Sequence, residues 1–227
     1  MKTEKKKKLT TIYVLLLLLV AMASIGVVTA IVAKNVERRT NRFSFSTVNI
    51  TVDEPGWDES EEKTVYPGKV YHKDPLVRNH SEHPMYVFLE VKIPTADVSV
   101  VKEDGTTIET KTAYALFTPV KINEPDWKEI VLPEAMQKET GYEVHVYAYM
   151  QEVSPHGKTP SLFDEVQFKS EIMEGEGVPE NGDALLMPVN AYAVQPEYVG
   201  SFTDEASKLA ALKNAFLSTY RLSGSDQ

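Results

Sequence analysis

Two stretches of alternating residues place the strongest constraint on how this chain folds. From Met85 to Ile93 the odd-numbered residues are apolar, and from Tyr142 to Gln151 the even-numbered residues repeat this arrangement. Because successive side chains of a strand point to opposite faces, each stretch predicts a β-strand with one face in a core. The other face of the second stretch carries Tyr147 and Tyr149, whose rings suit a core, a partner surface or a sugar-binding platform.

Shorter strand candidates and turn signals occupy most of the remaining chain. Residues 43–52 predict a first strand, and the pairs Asp104-Gly105 and Asn181-Gly182 predict hairpin turns. Many short strands separated by Gly, Pro and Asn predict an all-β fold, specifically an antiparallel, jelly-roll-like β-sandwich. The other candidate strands are 76–78, 98–101, 113–117, 128–131, 165–168, 184–187 and 191–195.

The C-terminal region changes to a helical period. Residues 203–221 predict an amphipathic helix that packs on the sandwich, with Thr203 as its cap and a tail over 223–227. Asp204 and Glu205 suit the first turn, where the helix dipole favours negative charge. The apolar residues at helical spacing are Ala206, Leu209, Ala210, Phe216, Leu217 and Tyr220.

The N-terminus has the residue order of an export segment. Five lysines precede the uncharged stretch 9–33, so residues 1–33 predict a helix that is either a signal peptide or a membrane anchor. Small residues near the end of this stretch make Ala30 and Ala33 candidate sites for a signal peptidase. Residues 34–42 predict a flexible basic leader. In both cases the remaining chain faces outward and meets the membrane only through residues 9–33.

Charge and cysteine content limit the classes of function. The chain has 24 Lys and Arg against 33 Asp and Glu, and removing residues 1–33 leaves 19 against 32, a net charge of −13. Such acidity is repelled by phosphate backbones and argues against a nucleic-acid partner. The chain has no cysteine, which excludes disulfides and thiolate metal sites. Residues 43–222 are long enough for a single domain with its own core.

No catalytic motif stands out among the residues that usually carry chemistry. His80 and His83 flank a carboxylate, but they are three residues apart and followed by Pro84, which predicts an exposed turn rather than a zinc helix. The acidic run 58–62 lacks the spaced ligands of an EF-hand, although weak calcium binding there stays open. No other cofactor is indicated. Asn49 and Asn79 each begin a glycosylation sequon.

Several short motifs occur in an order that is known from one family. Residues 41–50, 54–58, 67–69, 73–79 and 86–87, together with 189–195 before the C-terminal helix, resemble the TasA/camelysin family of Gram-positive exported proteins with a SipW-dependent type of signal peptide. The motif residues outside the first strand are Trp57, Pro67, Gly68, Lys73, Asp74, Pro75, Asn79, Ala191, Tyr192 and Gln195.

This resemblance implies a jelly-roll sandwich on the cell surface or in a biofilm matrix. It also implies fibres in which the N-terminal strand of one subunit completes the sheet of the next, so the partner is a second copy or a related matrix subunit. The donor residues would be Phe43, Phe45, Val48, Ile50 and Val52. Two alternatives stay open: an exported endopeptidase, which the camelysin name implies, and a monomeric surface adhesin.

Overall fold

The structure is a computed structural model that describes residues 49–57, 64–173, 177–179 and 185–223. All of them belong to one compact unit, Ser46–Gln227, while the export segment and basic leader fall in a separate unit, Met1–Phe45, outside the described residues. The described chain is mostly β, with curled antiparallel sheets and a C-terminal helix. Its elements are β1 (Ile50–Asp53), β2 (Val70–His72), β3 (Leu76–Asn79), β4 (Tyr86–Val101), β5 (Ile108–Ala115), β6 (Phe117–Val120), β7 (Trp127–Ile130), β8 (Lys138–Glu139), β9 (Tyr142–Tyr149), β10 (Glu165–Phe168), β11 (Val189–Val194) and α1 (Glu205–Ser223).

The longest strand, β4, organises the larger sheet. Its first half pairs with β11 on one side and with β9 on the other, and β9 pairs in turn with β7 and β8. Its second half pairs with β5 instead. Pro94 lies between these halves, after the β11 register has ended at Val91 and before the β5 register begins at Thr95. The missing proline N–H therefore falls where the neighbouring strand changes, and its carbonyl still accepts a hydrogen bond from Leu116 N–H, 2.9 Å away.

Two smaller groups of strands complete the β structure. In one, β10 lies between β2 and β6; in the other, β1 pairs with β3, and all these pairings are antiparallel. Side chains from β2, β3, β6 and β10 meet the odd-numbered side chains of β4 in one continuous hydrophobic cluster. Val87, Leu89 and Val91 are fully buried there. The predicted apolar face of β4 is thus confirmed as a core face.

The opposite face of β4 is buried as well, because α1 covers it. Phe88 and Phe216 are both 0% exposed, and their ring centroids lie 5.4 Å apart. The even-numbered apolar side chains of β9 belong to this second cluster, together with Leu212 and Ala215 of the helix. The central sheet therefore has apolar side chains on both faces, which explains why the odd-numbered aromatic residues Tyr147 and Tyr149 of β9 are also buried.

The helix exists where the sequence predicts it, but its cap and contact face differ. Asp204, not Thr203, is the capping residue: its carboxylate accepts a hydrogen bond from Ser207 N–H at 2.7 Å. Ala206 and Ala210 are exposed, whereas Leu212, which the predicted face omitted, is fully buried. The predicted residues Leu209, Phe216 and Leu217 do pack against the sheet, and the rings of Phe88 and Tyr192 contact Phe216.

The hairpin between β4 and β5 confirms the turn predicted at Asp104-Gly105. Gly105 has a φ of +69°, which a glycine adopts without strain. The Asp104 carboxylate accepts hydrogen bonds from the Thr107 hydroxyl, from Thr107 N–H at 2.7 Å and from Thr106 N–H at 2.8 Å. These bonds favour the ionised acid, the Thr107 hydroxyl most of all, and lower the pKa of Asp104 to about 2.

This turn gives a pH-dependent expectation. Because the pKa of Asp104 is lower in the folded chain, its contribution to stability is present above the ordinary value of 3.8 and is lost as the pH falls toward about 2. An NMR titration of the Asp104 carboxyl group should show the low pKa, and the variant Thr107→Val should move it back upward. An unchanged pKa in that variant would contradict the assigned cause.

Candidate functional site

The predicted donor strand lies only partly within the described residues. Ile50 and Val52 belong to β1 and are paired with Asn79 and Val77 of β3 in the same chain. The other predicted donor residues and processing sites, Phe43, Phe45, Val48, Ala30 and Ala33, lie outside the described residues. In a single chain, residues 50–53 therefore already have a partner strand, and a donated segment that spares this pairing is limited to 43–48.

Within the described residues, β11 is an edge strand of the larger sheet, with β4 as its paired neighbour. Lys92 N–H donates to Pro188 O at 3.0 Å, which places Val189, Ala191 and Ala193 at positions whose backbone groups point away from β4. Within the described residues no backbone hydrogen bond reaches these outward groups. β1 lies beside this edge without forming a ladder with it. An edge with free N–H and C=O groups can accept another strand.

Several motif residues meet around a buried lysine. Lys73, which is 5% exposed, places its ammonium 2.8 Å from the Glu54 carboxylate and 4.6 Å from the centre of the Trp57 ring. The charge is thus matched by a carboxylate and an aromatic face at once. This arrangement fastens the loop after β1 to the segment between β2 and β3. Its role is structural, since the ammonium has no open side for a substrate.

The backbone groups of other motif residues in this region form hydrogen bonds and turns. Gly56 N–H donates to the Asp74 carboxylate at 2.8 Å, and a Cβ at Gly56 would lie 2.6 Å from the exposed His72 ring, so a larger residue there would have to displace that ring. Pro75 O accepts from Leu162 N–H at 2.8 Å. The remaining motif positions are the turn Pro67-Gly68, with a Gly68 φ of +79°, the β11 residues Ala191 and Tyr192, and Gln195, whose carbonyl accepts from Tyr198 N–H.

Asn79 is fully buried and joins two loops. Its side-chain amide donates to the carbonyls of His83, Val153 and Ser154 at 2.8 to 3.2 Å. Its carbonyl oxygen accepts from the N–H and hydroxyl of Ser81 at 2.9 and 2.6 Å. All the bonding groups of this amide are thus used, and the second sequon asparagine is closed to modification in the folded chain.

Two of the histidines make hydrogen bonds with neighbouring side chains, Thr51 in one case and two glutamates in the other. His80 and His83 lie in the loop between β3 and β4, as expected from the sequence, and no three His, Asp or Glu side chains in the described ranges are arranged to hold a metal. His145 instead hydrogen-bonds Glu129 through Nδ1 at 2.7 Å and Glu143 through Nε2 at 2.9 Å. The acidic run 58–62 lies outside the described residues.

The tyrosines of β9 belong to the hydrophobic core. Tyr147 and Tyr149 are 5% and 9% exposed, and both lie in the cluster between the sheets. Burial raises the pKa of Tyr147 well above its ordinary value, and the charges of Glu129 and Glu143 add to the effect. Of the three open interpretations, the core is therefore the correct one, and these rings are not a sugar platform.

The feature that sequence reasoning missed is a buried carboxylate between β4 and β11. Glu90 is 3% exposed, and its Oε2 lies 2.8 Å from Asn190 Nδ2, 3.4 Å from the Tyr192 hydroxyl and 3.9 Å from Lys92 Nζ. We call these four residues the Glu90 cluster. The signal in the sequence was a glutamate in the middle of a strand whose neighbours Leu89 and Val91 are core residues.

Comparisons with known proteins give no direct guide to this site. A scan against protein-family models found no match, and searches of curated proteins and of solved structures found no similar chain. Among the described residues, no helix is both long enough and apolar enough to cross a membrane.

Proposed function

We propose that this chain is an exported structural protein of a Gram-positive cell surface or biofilm matrix, similar in role to TasA, and not an enzyme. Its subunits join when residues 43–48 of one copy add to the β11 edge of the next, and the sandwich has a jelly-roll arrangement of strands. The single observation that carries this proposal is the outward row of backbone groups at Val189, Ala191 and Ala193, which have no backbone partner within the described residues.

The position of β1 supports this geometry. β1 begins at Ile50 and lies beside β11. Residues 43–48 would span up to about 20 Å if extended, enough to lie along an edge of six residues. The same segment can therefore cover its own β11 edge in a monomer or reach the edge of a neighbour. A contact made head to tail does not close on itself and produces a filament.

The sequence supports export and assembly in separate ways. Residues 1–33 have the order of a signal or anchor, and the domain beyond them is acidic, which keeps single copies soluble. The β11 sequence contains no lysine, proline or bulge, the features that natural edge strands use to prevent pairing. In contrast, β5 has an irregular backbone of the kind that prevents pairing. Its Ala113 has a φ of +47°, and its register with β4 shifts between Ala96 and Val98.

A proline on the β11 edge tests the proposal. Ala191→Pro removes an N–H that points away from β4, so the ladder with β4 stays intact while the proposed contact loses a donor. We expect wild-type protein from the exporting host to form fibres at high concentration in negative-stain electron microscopy. The proline variant should remain monomeric with an unchanged far-UV spectrum, and Ala191→Ser, which keeps the N–H, should form fibres.

Deleting residues 43–48 is a second test of the proposal, and it leaves β1 in place. The shortened protein should fold but not assemble, and it should accept a synthetic peptide of the deleted sequence. Wild-type protein that stays monomeric at every concentration would overturn the proposal and favour an adhesin. Casein cleavage that is lost on chelation would favour the endopeptidase instead.

A further inference from the structure

The Glu90 cluster contains the reactive groups of an amide-forming reaction. Glu90 and Lys92 are two residues apart on β4, and Asn190 and Tyr192 are two residues apart on β11, so all four side chains lie on the same face of the sheet. Asn190 is directly opposite Glu90 in the antiparallel register. The Lys92 ammonium and the Asn190 amide thus both approach one oxygen, Oε2 of Glu90, at 3.9 and 2.8 Å.

The surroundings of Glu90 are apolar and largely closed to solvent. On the β9 side, Glu90 is paired with Val146 and Lys92 with Val144, so the neighbouring side chains are apolar. The Glu90 side chain is 4% exposed and that of Lys92 is 18% exposed. The contacts that Lys92 and Asn190 make to Oε2 of Glu90 therefore lie in a largely apolar part of the sheet.

We propose that Lys92 and Asn190 become joined by an isopeptide bond, with Glu90 as the catalytic acid and base. Glu90 takes a proton from the Lys92 ammonium, and the free amine attacks Cγ of Asn190. The new N–C bond forms as the Cγ–Nδ2 bond breaks, and Glu90 returns its proton to the leaving amide nitrogen. One further proton passes from Lys92 Nζ to that nitrogen, so an ammonium ion leaves, the carboxylate is regenerated and no oxidant is needed.

The structure also offers space for the reaction and an exit for its product. A cavity of about 270 Å³ lies beside the cluster, lined in part by Glu90, Glu139, Val144 and Phe216. Its lining includes Glu139, which is the other carboxylate partner of Lys92. Asn190 is exposed, so the ammonium ion that forms can escape to solvent.

The bond would fasten an edge strand to the centre of the sheet. Without cysteine, this chain has no disulfide with which to cross-link distant segments. A link between β4 and β11 closes a loop of about 100 residues and stabilises the fold chiefly by restricting the unfolded chain, as a disulfide does. This inference is independent of fibre formation, because it concerns bonds within one subunit.

Mass spectrometry of the wild-type protein decides the question. We expect the intact protein from the exporting host to be lighter than its processed sequence by one ammonia molecule. After proteolysis, one branched peptide should contain both Lys92 and Asn190. An intact mass equal to that of the sequence overturns the proposal, and so does an ammonia loss that maps to a succinimide at Asn181-Gly182.

Four variants separate the role of each group. Lys92→Arg and Asn190→Ala should show the full sequence mass because each lacks a reacting group. Glu90→Gln keeps the shape of the side chain and should also show the full mass, since it cannot take up the proton. Glu139→Gln should form the bond at least as fast as wild type, because it weakens the competing hold on Lys92. A branched peptide in Glu90→Gln would overturn the catalytic role of Glu90.

Discussion

Replacing Phe216 by alanine is expected to lower the free energy of unfolding by about 3 to 5 kcal/mol, because a fully buried aromatic ring is lost and leaves a cavity. The ring lies 5.4 Å from both Phe88 and Tyr192, so it joins α1 to two strands at once. Urea unfolding measured by far-UV circular dichroism would give the loss directly. The helix should also become more susceptible to proteases than the sheet.

Asn214 provides the control on the same helix, since its side chain is exposed. Asn214→Ala should leave the unfolding free energy almost unchanged or slightly raise it, because alanine has the higher helix propensity. If Phe216→Ala lost no more stability than Asn214→Ala, the packing of α1 on the sheet would be contradicted.

Replacing Asn79 by alanine is expected to cost about 3 kcal/mol or more. The change removes three hydrogen bonds that the amide donates to the carbonyls of His83, Val153 and Ser154. It also removes the acceptor of the buried Ser81 N–H and hydroxyl, and each such bond contributes about 0.5 to 1.5 kcal/mol. Asn79→Asp should cost still more, because a carboxylate would face those carbonyls without a proton to donate. Thermal and urea unfolding of both variants show which of them loses more unfolding free energy.

The other sequon asparagine is the matched control for this prediction. Asn49 is exposed and contributes its backbone carbonyl, not its side chain, to the hydrogen bond from His80 N–H at 2.9 Å. Asn49→Ala should therefore be nearly neutral. A similar loss in the two alanine variants would show that the buried amide of Asn79 is not the cause.

The strands that alternate strictly were predictable from the sequence. The face predicted to lie in a core is buried in both β4 and β9, although the opposite face is buried as well, and 165–168 was predicted with its observed ends. The continuation of β4 through Pro94 was not predictable, because it depends on a change of neighbour that only the tertiary structure supplies. The short strands β2 and β8 were missed because two or three residues are too few to show an alternating apolar pattern. Residues 185–187 are not a strand, contrary to the prediction for 184–187.

The candidate sites were predictable only in part, for a physical reason. The motif residues Lys73 and Trp57 were singled out by order and spacing, but their contact depends on Glu54 and on the path of a loop. Asn79 was noted for its sequon, whereas its burial follows from carbonyls about 74 residues away in the chain. The Glu90 cluster needs a strand register that joins residues 100 apart, and no local pattern encodes that register.

The pairing of β11 with β4 also sets an order of events during synthesis. β4 is complete at residue 101, but its partner on one side begins only at residue 189. A chain made from its N-terminus must therefore keep that edge of β4 unpaired until most of the protein exists, and such long-range pairing folds slowly. The central sheet is therefore complete only after the final strand has been made. A chain truncated before Val189 leaves one edge of β4 unpaired, and this edge can pair with another unfinished chain.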